Sequence, residues 1–138
     1  MSVSSAPQQR QTFRKSERLC SRKIIQELSK KARNIQVQAF RLSWLESTLP
    51  ENVPAQVVFS VPKRNFRHAV DRNRIKRRMR EAYRKNKSVI YPLISLSRKQ
   101  FALLIVYTGS ELPTFASTEE NIINALNRFA QDIQKYCS

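Results

Sequence analysis

The sequence is poor in the residues from which most chemical sites are built. It has one glycine, Gly109, one histidine, His68, and two cysteines, Cys20 and Cys137. A single glycine excludes a glycine-rich phosphate loop. Two isolated cysteines and a lone histidine offer no zinc-ligand spacing, and both cysteines read as reduced thiols of a cytosolic protein. Acidic residues are scarce as well, ten against 26 lysines and arginines, and they are scattered through loops, the last helix and a basic central segment. A protein that cuts nucleic acid unaided clusters carboxylates around metal ions or sets a His/Lys constellation for acid–base work. Neither pattern occurs, so no catalytic residue and no metal ligand is assigned. The longest apolar run, 101–107, is far too short to span a bilayer, and the N-terminus lacks a signal-peptide core. The expected location is the cytoplasm.

What the chain has in excess is positive charge, +16 over 138 residues with a sequence pI of 10.8. That balance points to a polyanionic partner. The charge is densest from Ala69 to Lys87, AVDRNRIKRRMREAYRKNK, which also carries a helical pattern. Ile75, Met79, Ala82 and Tyr83 fall at i, i+4, i+7 and i+8, one apolar stripe to press against a core. At about 100° per residue, Asn73, Arg74, Arg77, Arg80 and Arg84 lie away from that stripe, with Arg78 and Lys85 flanking them and Arg72, Lys76 and Lys87 near its edge. Asp71 and Glu81, the latter between Arg77 and Lys85, relieve little of the mutual repulsion. A face needed only for solubility mixes lysine with glutamate, whereas this one is rich in arginine, whose planar fork suits phosphate and base edges. A membrane-surface helix would set bulky apolar residues opposite its lysines, and this stripe is too narrow for that.

The rest of the chain reads as a single α+β domain over 12–138 after a disordered lead-in over 1–11. Ser21 caps a first helix with Ile24, Ile25, Leu28 and Ala32 on its apolar face. Residues 35–45 alternate with a phase shift, Ile35 and Val37 on one parity and Phe40, Leu42 and Trp44 on the other, as in a short strand or bulge running into a longer strand. Residues 47–54 form a proline-punctuated loop, and 55–61 a strand that enters the basic helix through the short link 63–68. Residues 88–96, interrupted by Pro92, are ambiguous. The run 100–108 is a central strand ended by Gly109. Ser117 and Glu120 have capping-box spacing before a final helix with Ile122, Leu126, Phe129, Ala130 and Ile133 on its inner face. The expected architecture is a small two-layer sandwich, a mixed sheet of about four strands with three helices, the arginine helix crossing between two strands.

The run from Phe59 to Arg84, FSVPKRNFRHAVDRNRIKRRMREAYR, resembles the signature of the protein subunit of bacterial ribonuclease P. In that family a strand ending in S-V-x-K-K leads to A-V-x-R-N-R-I-K-R and then R-E-A-[FY]-R. Ser60, Val61 and Lys63 match the first part, Ala69, Val70 and Arg72 to Arg77 the second, and Arg80 to Arg84 the third. The resemblance extends over roughly Phe13 to the C-terminus, its strength lying in this signature. It implies a left-handed crossover carrying the arginine helix, which general topology rules would not predict. It also implies binding to a large catalytic RNA, with Mg2+ held in the ribonucleoprotein and no cofactor on the protein alone. The single-stranded 5′ leader of precursor tRNA is gripped in a cleft between the sheet and the first helix, and the RNA cleaves the phosphodiester. No membrane and no further protein partner are implied.

Carried over by position, Lys63, Arg64, Arg72, Asn73, Arg74, Lys76, Arg77 and Arg80 face the catalytic RNA, and Arg84 joins them from the helical projection. The leader cleft falls at Ile25 and Ser29, where many relatives have phenylalanines, and near Ser43, where many have tyrosine. Phe40 and Trp44 are the rings that could stand in, with burial in the core competing for both. The link before the helix has Asn65, Phe66 and Arg67 in place of a glycine common in relatives. Two other classes fit the charge alone, a ribosomal or ribosome-assembly protein and a DNA-binding regulator. The second is disfavoured because the basic segment follows a strand rather than a helix-turn and no dimerisation heptads occur.

Overall fold

In the computed structural model, which describes residues 13–137, strands β1 (Arg33–Val37), β2 (Phe40–Glu46), β3 (Ala55–Ser60) and β4 (Phe101–Tyr107) form one mixed sheet in the order β1-β2-β4-β3. The lead-in expected over 1–11 lies outside the described residues. β4 is central, antiparallel to β2 and parallel to β3. Its continuous apolar sequence follows from that position, since both of its faces are covered.

The phase shift between 35 and 45 marks a hairpin rather than a bulge. β1 and β2 are antiparallel, with Val37 opposite Phe40 and Ile35 opposite Leu42. A two-residue turn lets the apolar residues of both strands meet on one face while their numbering changes parity. Gln38 takes the left-handed conformation in that turn, at φ 53°. Glycine or asparagine usually signals such a turn, and neither is present.

Helix α2 (Ala69–Asn86) and helix α4 (Phe115–Tyr136) cover one face of the sheet. Ile75, Met79, Ala82 and Tyr83 are fully buried there against Phe59, Ile105, Leu126 and their neighbours. Helix α1 (Arg22–Lys31) lies on the opposite face, where Ile24 and Leu28 join Leu45, Val58, Ala102 and Leu104. It adds a partial third layer to the expected two. Ser21 caps α1 as its sequence indicates, accepting from the Ile24 N–H at 3.3 Å. A fourth, short helix, α3 (Tyr91–Ser97), forms in the ambiguous piece because Pro92 sits in its first turn, where no N–H is required. α4 starts earlier than its capping-box spacing suggests. Thr114 is the cap, and Ser117 supplies the N–H that it accepts, at 3.0 Å.

Residues 13–19 strap the outer edge of β3. The Leu19 N–H donates to Val57 O at 3.0 Å, and Gln56 Nε2 donates to Ser16 O at 2.8 Å. An exposed strand edge invites pairing with other chains, and the strap removes that hazard. Phe13 locks it by edge contacts with Phe59 and Tyr83, each at 5.9 Å between ring centroids. A buried carboxylate completes the lock, since Glu17 accepts from Lys87 Nζ and Tyr91 Oη, both at 2.5 Å, and from the Arg14 N–H at 2.8 Å. Burial opposes ionisation of Glu17, but hydrogen bonds from Lys87, Tyr91 and Arg14 outweigh it and hold the carboxyl below its ordinary 4.5.

A group whose folded pKa is depressed contributes stability that is present above the unfolded value and lost as pH falls through the folded one. Thermal melts across pH 3–7 should therefore show wild type more stable than Glu17→Gln by about 3 kcal/mol at neutral pH, the scale of a broken buried pair. The gap should close as pH drops below about 4.5. A gap that stays constant with pH would show that the Glu17 charge contributes nothing.

Candidate nucleic-acid interface

The basic face is built by the same register that buries the stripe. With Ile75 and Met79 inward, Asn73, Arg74 and Arg77 are exposed, and Lys76, Arg80 and Arg84 are half-exposed. Val70, Asn73, Arg74 and Arg77 line a shallow groove of about 270 Å³ along the helix. Val70 is 67% exposed, an apolar side chain set among cations, and charge patterning alone passed over it. Its signal was present all the same, because it is apolar yet off the buried stripe.

Long cationic side chains do not all stay where a helical projection puts them. Arg72, expected among the RNA-facing residues, turns back so that Nη1 donates to Phe66 O at 2.8 Å and Arg67 O at 3.0 Å. Arg78 donates to Pro113 O, tying α2 to the segment before α4. Arg84 is held by Glu81, one turn away, with Nε at 3.1 Å from Oε1. That hydrogen bond holds the Glu81 carboxyl below its ordinary range and raises the Arg84 guanidinium further. Glu81 thus bonds Arg84 and keeps a weaker attraction to Lys85. Arg80 shifts the other way, lowered by partial burial and then by repulsion from Arg18 and Arg77. Arg18, on the strap, therefore adds its field to this cluster, and only the fold brings it there. Arginine remains charged after any such shift.

The link before α2 carries the interface around its N-terminus. A turn over Pro62 to Phe66, closed by Asn65 N–H to Pro62 O at 3.3 Å and Phe66 N–H to Lys63 O at 3.2 Å, exposes Lys63 and Arg64. Phe66 anchors it from below, buried with its ring 6.1 Å from that of Tyr107. Asn65 Nδ2 donates to Thr108 O and Gly109 O, at 3.3 and 3.2 Å. Gly109 is required beside it, since a Cβ there would lie 2.4 Å from the Tyr107 hydroxyl oxygen.

The residues expected at the leader cleft divide between the two faces of the sheet. Phe40 and Trp44 are buried on the α4 side, Phe40 against Tyr107 and Trp44 against Phe101 and Phe129. Neither can stack a base beside α1. Their alternation with Arg41, Ser43 and Leu45 decides this, because Leu45 packs with α1 and so directs Phe40 and Trp44 to the other side. Ile25, on α1, is half-buried, and Ser29 is exposed, its hydroxyl donating to Gln26 O at 2.8 Å. Beyond α1 on this face, alternation from Leu45, Val58 and Leu104 places Arg41, Ser43, Ser60 and Val106. None of these carries a ring.

Among the described residues, no group of three or more His, Cys, Asp or Glu could hold a metal ion. No helix among those residues is long and apolar enough to cross a membrane.

Comparison with known proteins agrees with this arrangement over most of the chain. The family model described as Ribonuclease P matches residues 13–130. The ribonuclease P protein component of Porphyromonas gingivalis is 30% identical over 119 residues, covering 86% of this chain and 87% of that protein. The corresponding component of Chlorobium phaeobacteroides is 31% identical over 121 residues, covering 80% and 83%. The solved ribonuclease P protein of Thermotoga maritima superposes with a TM-score of 0.65 at 24% identity, over 81% of this chain and 96% of that one, a likeness of fold. The strap, the sheet, α2 with its basic face and most of α4 all fall within the matched span, and the chain belongs to the ribonuclease P protein family.

Proposed function

We propose that this chain is the RNA-binding subunit of a ribonuclease P ribonucleoprotein that frees the mature 5′ end of tRNA, with the chemistry residing in the RNA. The observation that carries the reading is the outer face of α2. Arg74, Lys76 and Arg77 have no acidic partner within salt-bridge distance among the described residues, and their helix is fixed by a fully buried stripe. A rigid row of uncompensated cations binds a phosphate backbone at little ordering cost. Lys63, Arg64, Asn73 and Arg80 extend the row, and Arg84 joins by exchanging Glu81 for phosphate. Family membership supports the catalytic RNA of ribonuclease P, rather than ribosomal RNA or duplex DNA, as the partner. Mg2+ belongs to the RNA, where it assists hydrolysis.

The leader of precursor tRNA lies on the other sheet face, beside α1. Ser29 and Ser60 offer hydroxyls, and Arg41 offers charge; Ser43 is buried with its hydroxyl on Asn34 Oδ1. With no ring among the strand positions there, recognition follows leader length and backbone charge. Each stacked base would otherwise add about 1–3 kcal/mol and a sequence preference.

The direct test is cleavage of a precursor tRNA by the cognate RNA at low magnesium, with and without the protein. The protein should restore activity, and no difference would end the proposal. Affinity for that RNA should fall steeply with salt. About six phosphate contacts give a log–log slope near −4 to −5, and a slope near zero would remove the phosphate-binding role of α2.

Arg74→Ala and Arg77→Ala should each weaken RNA binding by about 1–3 kcal/mol, the range for charge-assisted contacts, with melting temperatures nearly unchanged. Met79→Asp should unfold the protein, since it forces a carboxylate into a fully buried position. Melts in the reverse order would mean that the helix faces are exchanged. Holoenzyme affinity should also drop as the leader is shortened to nothing, and should vary little among leaders of equal length and different bases. Equal affinity with and without a leader would refute the second surface, and a strong base preference would reveal a stacking residue on it.

A further inference from the structure

We propose that Arg72 and Asn65 act as positioning residues that shape the β3–α2 link, and that Arg72 does not bind RNA phosphate. This rests on the RNA-binding reading above and alters the role of one residue that the family signature places in the interface.

The link from Pro62 to His68 has to present Lys63, Arg64 and Arg67 beside the first turn of α2. It contains no glycine to ease its turn, and α2 begins with no side-chain cap at His68. Two side chains supply the missing order from opposite ends. Arg72 reaches back from α2, and its Nη1 bridges the carbonyls of Phe66 and Arg67 at 2.8 and 3.0 Å. Those carbonyls precede the helix and lie outside its hydrogen-bond ladder, so a cationic donor there offsets their loss of partners. Asn65 reaches sideways, bonding Thr108 O and Gly109 O across to the end of β4. Phe66, buried between these two ties, is the pivot.

A guanidinium whose Nη1 bridges two main-chain carbonyls is turned back onto the link, whereas Arg74 and Arg77 are exposed along the groove. Its loss should loosen the link and so weaken the contacts of Lys63 and Arg64, without removing a phosphate contact of its own. The number of counterions released on binding separates these roles, because that number counts contacts rather than their strength.

The salt dependence of binding to the catalytic RNA should be compared for wild type, Arg72→Ala, Asn65→Ala and Arg74→Ala. Arg74→Ala should reduce the magnitude of the log–log slope by about one. Arg72→Ala and Asn65→Ala should each lower affinity by about tenfold, through lost preorganisation, and leave the slope unchanged. Pairing each with Lys63→Ala should be non-additive, whereas pairing with Arg77→Ala should be additive. Hydrogen exchange in the free protein gives a readout that needs no RNA. The amides of Asn65 and Phe66, which close the turn onto Pro62 and Lys63, should lose protection in both positioning variants and keep it in Arg74→Ala. A slope reduced by one in Arg72→Ala, or unchanged protection of those amides, would overturn the proposal. If wild type itself showed no salt-dependent binding, the RNA-binding reading would fall, while exchange would still decide whether Arg72 and Asn65 shape the link.

Discussion

Everything in this molecule depends on a narrow apolar stripe holding down a helix that its own charge drives apart. α2 carries eight lysines and arginines against two acids in 18 residues. Like-charge neighbours one turn apart each cost a few tenths of a kcal/mol. Against that, complete burial of Ile75 and Met79 contributes about 1.5–3 kcal/mol for each side chain, and the Tyr83 ring adds apolar contact with Phe13 and Phe59. Burial wins, so the face is ordered before any anion arrives. The interface is then rigid at the moment of binding, and the repulsion it still carries is relieved only by a polyanion.

That helix is also pinned along its length by bonds to groups outside it. At its C-terminal end, Lys87 meets Glu17 across 70 residues of chain, with Tyr91 on the same carboxylate oxygen. Midway, Arg78 bonds the segment that precedes α4. At its N-terminal end, Arg72 fixes the link that delivers the chain from β3. Cations thus serve two purposes in one helix. Some stabilise its position by bonding main-chain oxygens or a buried carboxylate, and the remainder project outward. Net charge alone does not reveal this division, and it governs how many phosphates α2 can engage.

Much of this was legible in the sequence wherever period and residue type agreed. The Ile75, Met79, Ala82, Tyr83 stripe, the Ser21 cap and the doubly buried β4 all stand where the patterns place them. The hairpin at Gln38 was not legible as one, because the turn lacks the residues that normally announce a left-handed conformation. Thr114 was passed over in favour of Ser117 because a capping box is only a spacing, and one residue can be the acceptor's partner instead of the acceptor. Arg72 and Arg84 defeat the helical projection for another reason. A projection fixes Cβ directions, while a guanidinium lies several bonds farther out and goes to the nearest carbonyl or carboxylate. Glu17 is the extreme case, since its partners exist only after the strap has folded over β3.

The two surfaces assigned to RNA lie on opposite faces of one sheet, and that placement explains the strap. α2 packs on the face carrying Leu103 and Ile105, α1 on the face carrying Ala102 and Leu104, and residues 13–21 pass around the β3 edge between them. A four-stranded sheet is thin enough for its alternating side chains to anchor both helices through the same strand. β4 does this, and any shift of it displaces both surfaces together. The strap closes the remaining freedom by fastening the entry to α1 onto the exit of α2 through Glu17 and Lys87. The two surfaces are therefore held at a separation set by packing rather than by a linker. On the proposed function, in which a leader is placed relative to a separate catalytic RNA, that rigidity is the property the fold supplies.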